Sequence, residues 1–199
     1  MKTSKKISTG ILSLVVLLTI SFNSIQAQEF DLINGESSLK IMGTSSIHDW
    51  HEVAESQSGK INFNNLEAGQ IEQITINIVA ESIKSGKRGM DKNTYEALKT
   101  DKYKTISFRL TEVKKTVSKG NGLFDVNAIG DLTIAGVKKT IPLDFTVTIT
   151  GSKIKLTGEK KIKMTEFNIE PPTALFGTIT TGDELTIEFS TIFQKALNN

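Results

Sequence analysis

The stretch FDVNAIGDLTIAGVKKTIPLDFTVTI, residues 124–149, decides the fold class. Phe124, Val126, Ala128, Leu132 and Ile134 hold alternate positions before Gly136. Ile141, Leu143, Phe145, Val147 and Ile149 do the same after it, against polar partners such as Asp144, Thr146 and Thr148. A period of two is that of a strand with one buried face. Two such runs joined by a short connection read as antiparallel neighbours, because a parallel pair needs a long crossover.

The same pattern extends outward in both directions. Upstream lie Ile74, Ile76 and Ile78, then Ile106, Phe108 and Leu110; downstream lie Ile154, Leu156, Ile162 and Met164, then Leu185, Ile187, Phe189 and Phe193. Leu39 with Ile41, and Ile61 with Phe63, mark shorter strands near the start. Turn residues separate the runs at Asn34-Gly35, Asn64-Asn65, Gly120-Asn121-Gly122, Gly151-Ser152 and Gly182-Asp183. Strands at this spacing predict a sandwich or a barrel. One segment breaks the alternation: Met90 to Lys99 (MDKNTYEALK) places Met90, Thr94, Ala97 and Leu98 at helical spacing, with Asp91 placed to cap the start. A single helix between strands is expected, where it can close one end of a barrel. Pro171-Pro172 belongs to a connection, since proline does not suit a central strand.

The first 27 residues read as a secretory leader rather than as part of the fold. Lys2, Lys5 and Lys6 precede the apolar run Ile11–Ile20, and Ser24-Ile25-Gln26-Ala27 offers small residues at a cleavage point. That run is too short to span a bilayer, which takes about 20 residues. Residues 28–199 then form one domain, periplasmic or secreted. Gln28 stands where a lipid-modified protein would need cysteine, and the chain contains none. Disulfides are therefore excluded, and the core alone must hold the domain together. The formal charge of +2 comes from the leader: residues 28–199 carry 21 basic against 22 acidic side chains. No basic excess points to nucleic acid.

Catalytic signatures are sparse. The two histidines, His48 and His51, sit in Ser46-Ile47-His48-Asp49-Trp50-His51. Their odd offset puts them on opposite faces of a regular strand, so they cannot grip one metal there. His48 and Asp49 suit a polar cluster at a pocket mouth, or an ordinary strand end. Ser37-Ser38-Leu39-Lys40 matches S-x-x-K, but that serine–lysine pair meets on a helix and is separated on a strand, and its companion motifs are missing. No phosphate-binding glycine loop, nucleophile elbow or zinc-protease helix occurs. The sequence reads as a binding protein, not an enzyme.

Gly130-Asp131-Leu132-Thr133-Ile134-Ala135-Gly136-Val137-Lys138-Lys139-Thr140 resembles the G-x-L-T-I-x-G-V-x-K hairpin of the YceI-like family. Met90 to Phe108, with Leu98, Lys102-Tyr103 and Thr105-Ile106-Ser107-Phe108, is similar to that family's helix and following strand. Ser45-Ser46-Ile47-His48-Asp49-Trp50 resembles its opening histidine block. Two positions depart from the pattern: Lys104 replaces a usual proline, and Arg88 and Asp91 lie three residues apart. The resemblance runs from about Phe30 to Phe193. It implies an all-β, lipocalin-like up-and-down antiparallel barrel of about eight strands with one inserted helix, in an exported protein that holds a polyisoprenoid or quinone-like chain for storage, transport or sequestration. The implied partner is that isoprenoid or another lipid, with transient contact with an envelope membrane and no cofactor besides.

An eight-stranded barrel is either filled by its own side chains or just wide enough for one small ligand. Alternation alone does not separate a lipid-holding tube from a solid, ligand-free structural barrel. The ligand-binding candidates are Ile76, Ile78, Phe108, Leu110, Phe124, Val126, Leu143, Phe145, Leu156 and Phe189 from the strands, and Met90 and Leu98 from the helix. This lining carries no charge. Trp50 and Tyr95 suit the rim, each having an apolar body and a polar tip.

Overall fold

The computed structural model describes residues 28–174 and 177–195, so the leader expected over residues 1–27 lies outside the described residues. Period-two alternation becomes strand pairing in β1 (Gln28–Leu32), β2 (Ser38–Ser45), β3 (Trp50–Ala54), β4 (Gln57–Asn65), β5 (Gln70–Val79) and β6 (Ile83–Lys84). After the helix α1 (Arg88–Leu98) come β7 (Thr105–Gly120), β8 (Leu123–Ile134), β9 (Val137–Thr150), β10 (Lys153–Lys163), β11 (Thr173–Ala174) and β12 (Ile179–Lys195).

Every pairing is antiparallel, and the ring β1-β4-β5-β7-β8-β9-β10-β12 closes where β12 meets β1, with Leu32 opposite Phe193. This is the eight-stranded up-and-down barrel that the resemblance implied, where the alternation alone left a sandwich or a barrel open. The remaining short strands complete three broken staves. β1 and β2 both run along β12, split by a tight turn at Asn34–Glu36; β3 and β4 together form their antiparallel partner; β6 continues β5 and pairs with β3. Asn34 stitches the breaks: its side chain accepts from the Gln57 amide at 2.8 Å and donates to the Glu55 carbonyl at 2.9 Å. The 124–149 stretch forms β8 and β9 in continuous register from Leu123–Thr148 to Ile134–Val137, turning at Ala135-Gly136 with both residues at positive φ.

α1 begins two residues before the expected Met90 and ends at Lys99, which turns left-handed at φ 54°. Asp91 does not cap it. Its Oδ1 instead accepts from the Ser85 amide (2.7 Å) and hydroxyl (2.6 Å), tying the β6–α1 connection to the first turn. Those two bonds hold the Asp91 carboxyl below the usual range.

The interior divides along the barrel axis. One half is solid: Phe30, Ile61, Phe63, Ile74, Val126, Val147, Ile154 and Phe193 are almost wholly buried, and Phe30 meets Phe63 edge-on at 6.0 Å between ring centres. The other half is enclosed by the upper strands, α1 and the turn Met164–Phe167, whose Met164 and Phe167 are buried. There β9 and β10 part beyond the Phe145–Gly158 pair, and that turn lies against both.

Candidate functional site

The second half holds a partly open cavity of about 730 Å³, within the size range of small-molecule sites. Its walls follow from strand parity. Ile76, Phe108, Leu143 and Phe189 occupy inward positions yet stay only half-buried, whereas Ile61, Ile154 and Phe193 on the same kind of position are sealed. The half-buried set faces open space. Phe145, Leu156 and Ile74 border both the cavity and the solid half and so form its floor.

Two wall glycines keep that space open. An added Cβ at Gly158 would stand 2.6 Å from Cζ of Phe189, its partner on β12, and one at Gly130 would stand 2.3 Å from Cζ of Phe108. The far end of each ring therefore lies over a glycine, in the space a side chain there would fill. Trp50 covers Gly43 in the same way, and its indole N–H donates to the Thr44 carbonyl at 2.9 Å.

The sequence candidates divide into two groups. Trp50, Ile76, Ile78, Phe108, Leu143, Phe145, Leu156 and Phe189 line the cavity, and so do Met90 and Leu98 from α1. Leu110, Phe124 and Val126 do not. They face inward as expected but belong to the solid half, so their parity is right and their depth is wrong. Tyr95 is also off the cavity. The helix lines it with Met90, Asn93, Thr94, Ala97 and Leu98, and Tyr95 falls outside that face. Its hydroxyl instead bonds Lys84 and donates to the Glu81 carbonyl at 2.9 Å.

His48 stands at the mouth, in the connection between β2 and β3. Its Nδ1 is 2.9 Å from the Asp49 carbonyl oxygen, which can only accept, so that nitrogen carries the proton. The Asp49 side chain is exposed and does not line the cavity. No group of three or more histidine or carboxylate side chains gathers as a metal site among the described residues.

The expectation of an uncharged lining is also corrected. Glu52, Lys87 and Lys160 all line the cavity. Glu52 is only 3% exposed, and its Oε1 accepts from the Thr94 hydroxyl at 2.6 Å. Burial pushes its carboxyl above the usual value; the Thr94 bond opposes that, and the charge of Asp91 adds to it. The signal was present in the sequence: Glu52 shares parity with Trp50 and Ala54, and Lys160 with Leu156 and Ile162. Apolar wall residues missed at the sequence level, such as Ile41, Ile106, Leu132, Ile141, Leu185 and Ile187, obey the same parity.

No curated protein sequence matches the chain. Among solved structures it is similar to BcnA of Burkholderia cenocepacia, at 18% identity and TM-score 0.66 over 81% of this chain and 98% of that one. It is also similar to a polyisoprenoid binding domain from Saccharophagus degradans implicated in plant cell wall breakdown, at 15% identity and TM-score 0.65 over 84% and 98% of the two chains. The Campylobacter jejuni YCEI protein is 20% identical with TM-score 0.59, over 72% of this chain and 83% of that one. These are likenesses of overall fold. The model of the YceI-like domain matches residues 19–193, and the chain belongs to that family.

Proposed function

We propose that this protein is an exported carrier that holds a polyisoprenoid or quinone-like lipid in the open half of its barrel. The observation that carries this reading is the cavity itself: about 730 Å³ of partly open space walled mostly by aliphatic and phenylalanine side chains, with aromatic rings laid over glycines. Family membership and the fold shared with a polyisoprenoid binding domain support it. Apolar transfer supplies the affinity, at about 0.8 kcal/mol for each buried CH₂. Even a short prenyl chain then gains enough to be released slowly, after the ordering of the chain is subtracted. The solid half gives the chain a floor, so the lipid enters from the α1 and His48 end and stops at Phe145 and Leu156.

The test is organic extraction of natively purified protein, followed by mass spectrometry. A co-purified species built of repeating isoprene mass supports the proposal. Protein that is clean after native purification, and that takes up no prenyl lipid afterwards, leaves a structural barrel of the envelope instead.

A further inference from the structure

The most exposed large apolar side chain among the described residues stands at the mouth of the cavity. Ile47, in the β2–β3 connection, is 61% exposed and still lines the opening. The chain around it is firmly held. The Ser45 Oγ accepts from the amides of Ile47 (3.4 Å) and His48 (3.2 Å) and donates to the His48 carbonyl at 2.7 Å. Ser46 is tied to the start of β12: its amide donates to the Thr180 carbonyl at 2.9 Å, and its Oγ accepts from the Thr180 amide at 3.2 Å. The Thr181 amide in turn donates to the Pro172 carbonyl at 3.2 Å. Three segments are thus bonded together beside the opening. Ile47, Pro172 and Ile179 come from them and Met90 from α1; all four line the cavity, and the last three are half-buried.

This turn is a poor place for isoleucine if folding is its only task. Turns favour small polar residues, and an exposed aliphatic side chain forgoes the burial that would stabilise the fold. Two cations accompany the apolar rim. Lys87 lines the cavity and Arg88 opens α1; both are exposed, and neither forms an ion pair among the described residues. Asp49 is the acid of the β2–β3 connection, and Asp91 is turned to Ser85. A rigid apolar prong beside unpaired cations matches the layering of a bilayer interface, where hydrocarbon lies beneath phosphate. The apolar surface also continues without a break into the cavity, as a path for a hydrocarbon chain requires.

We propose that this rim docks on a lipid bilayer, with Ile47 in the acyl boundary and Lys87 and Arg88 at the phosphates, so that the cavity opens toward the membrane. The purpose, passage of a lipid without crossing water, rests on the carrier reading above; the docking itself is tested separately. Purified protein is sedimented with vesicles of phosphatidylethanolamine and phosphatidylglycerol, three to one. The unaltered protein should bind them, and Ile47→Ser should bind at least fivefold more weakly, from the lost transfer of one partly inserted side chain. Ile47→Phe, which keeps an apolar prong, should bind as the unaltered protein does. So should Val53→Ser and Val79→Ser, which remove exposed valines that do not line the cavity. Each basic residue near an anionic surface contributes roughly fivefold. Lys87→Gln combined with Arg88→Gln should therefore lose at least fivefold on these vesicles and less than twofold on vesicles of phosphatidylcholine alone. Unaltered protein that ignores the vesicles, an undiminished Ile47→Ser, or an equal loss in the two valine variants overturns the docking surface. A dimer in solution that Ile47→Ser breaks, in protein that ignores vesicles, assigns the rim to a second copy instead and also overturns it. Displacement of N-phenyl-1-naphthylamine by geranylgeraniol, without vesicles, reads the carrier function on its own. Displacement without vesicle binding sinks the docking and leaves the carrier; vesicle binding without displacement does the reverse.

Discussion

Placing a methyl group at Gly158 should separate the stability of this barrel from its capacity to hold a chain. A Cβ there meets Phe189 Cζ at 2.6 Å and the Asp144 carbonyl oxygen at 3.0 Å, so in Gly158→Ala the ring must move. Its free direction is into the cavity. In the empty protein that shift costs little, because the ring enters open space. The lower chain entropy of alanine in the unfolded state returns about 0.4–1 kcal/mol. The net stability change is then within about 1 kcal/mol, or roughly 2–4 °C in Tm for a domain of this size. In the loaded protein the ring competes with the lipid. If it excludes about four methylenes, the gross loss is about 3 kcal/mol. With half of that offset by the ordering those methylenes no longer need, about 1.5 kcal/mol remains, close to a tenfold weaker Kd. The assay pairs thermal melting of lipid-free protein with displacement of the neutral fluorescent probe N-phenyl-1-naphthylamine by geranylgeraniol. A Tm that drops by more than about 8 °C would mean that the ring has nowhere to go and the space is filled. An unchanged Kd with an unchanged Tm would mean that the chain does not lie beside Phe189. Either result refutes the reasoning.

Three further outcomes follow from the same geometry. Because the folded protein holds the Glu52 carboxyl above its ordinary value, the fold keeps a proton that the unfolded chain has released; stability is complete below the unfolded value and declines as pH rises through the folded one. Glu52→Gln lacks that decline, so its Tm relative to the unaltered protein should rise between pH 4 and pH 8, and a difference independent of pH would contradict the burial argument. Phe193→Ala empties a fully sealed site in the solid half and should cost about 3–5 kcal/mol in denaturant unfolding, while the protein that remains folded binds geranylgeraniol with the same Kd. Trp50 lines the cavity and is the sole tryptophan, so its emission should change as a prenyl lipid is added; a flat titration alongside unchanged retention in Trp50→Ala would place the chain elsewhere.

How much of the candidate site was legible in advance depends on which quantity is asked for. Inward orientation is local, because successive side chains of a strand point to opposite faces. Ile76, Phe108, Leu143 and Phe189 were readable as inward for that reason, and Glu52 and Lys160 carried the same signal against their chemical type. Leu110, Phe124 and Val126 were inward too, yet they pack in the solid half. Nothing in their alternation differs from that of Leu143. Tyr95 failed for a related reason, since a helix has several faces and its spacing does not say which one turns to the barrel.

By itself the sequence determined the strands, their hairpins, the helix between them and the side of each strand that meets the interior. Those are consequences of backbone periodicity and turn chemistry, which act over a few residues. Only the tertiary structure decided that one half of the barrel is packed and the other open, and that an acid and a lysine 108 positions apart in the chain line the same cavity. Depth along the axis and neighbours across the ring come from register summed over several strand pairings and from where the broken staves are spliced, and those are properties of the closed barrel rather than of any one segment.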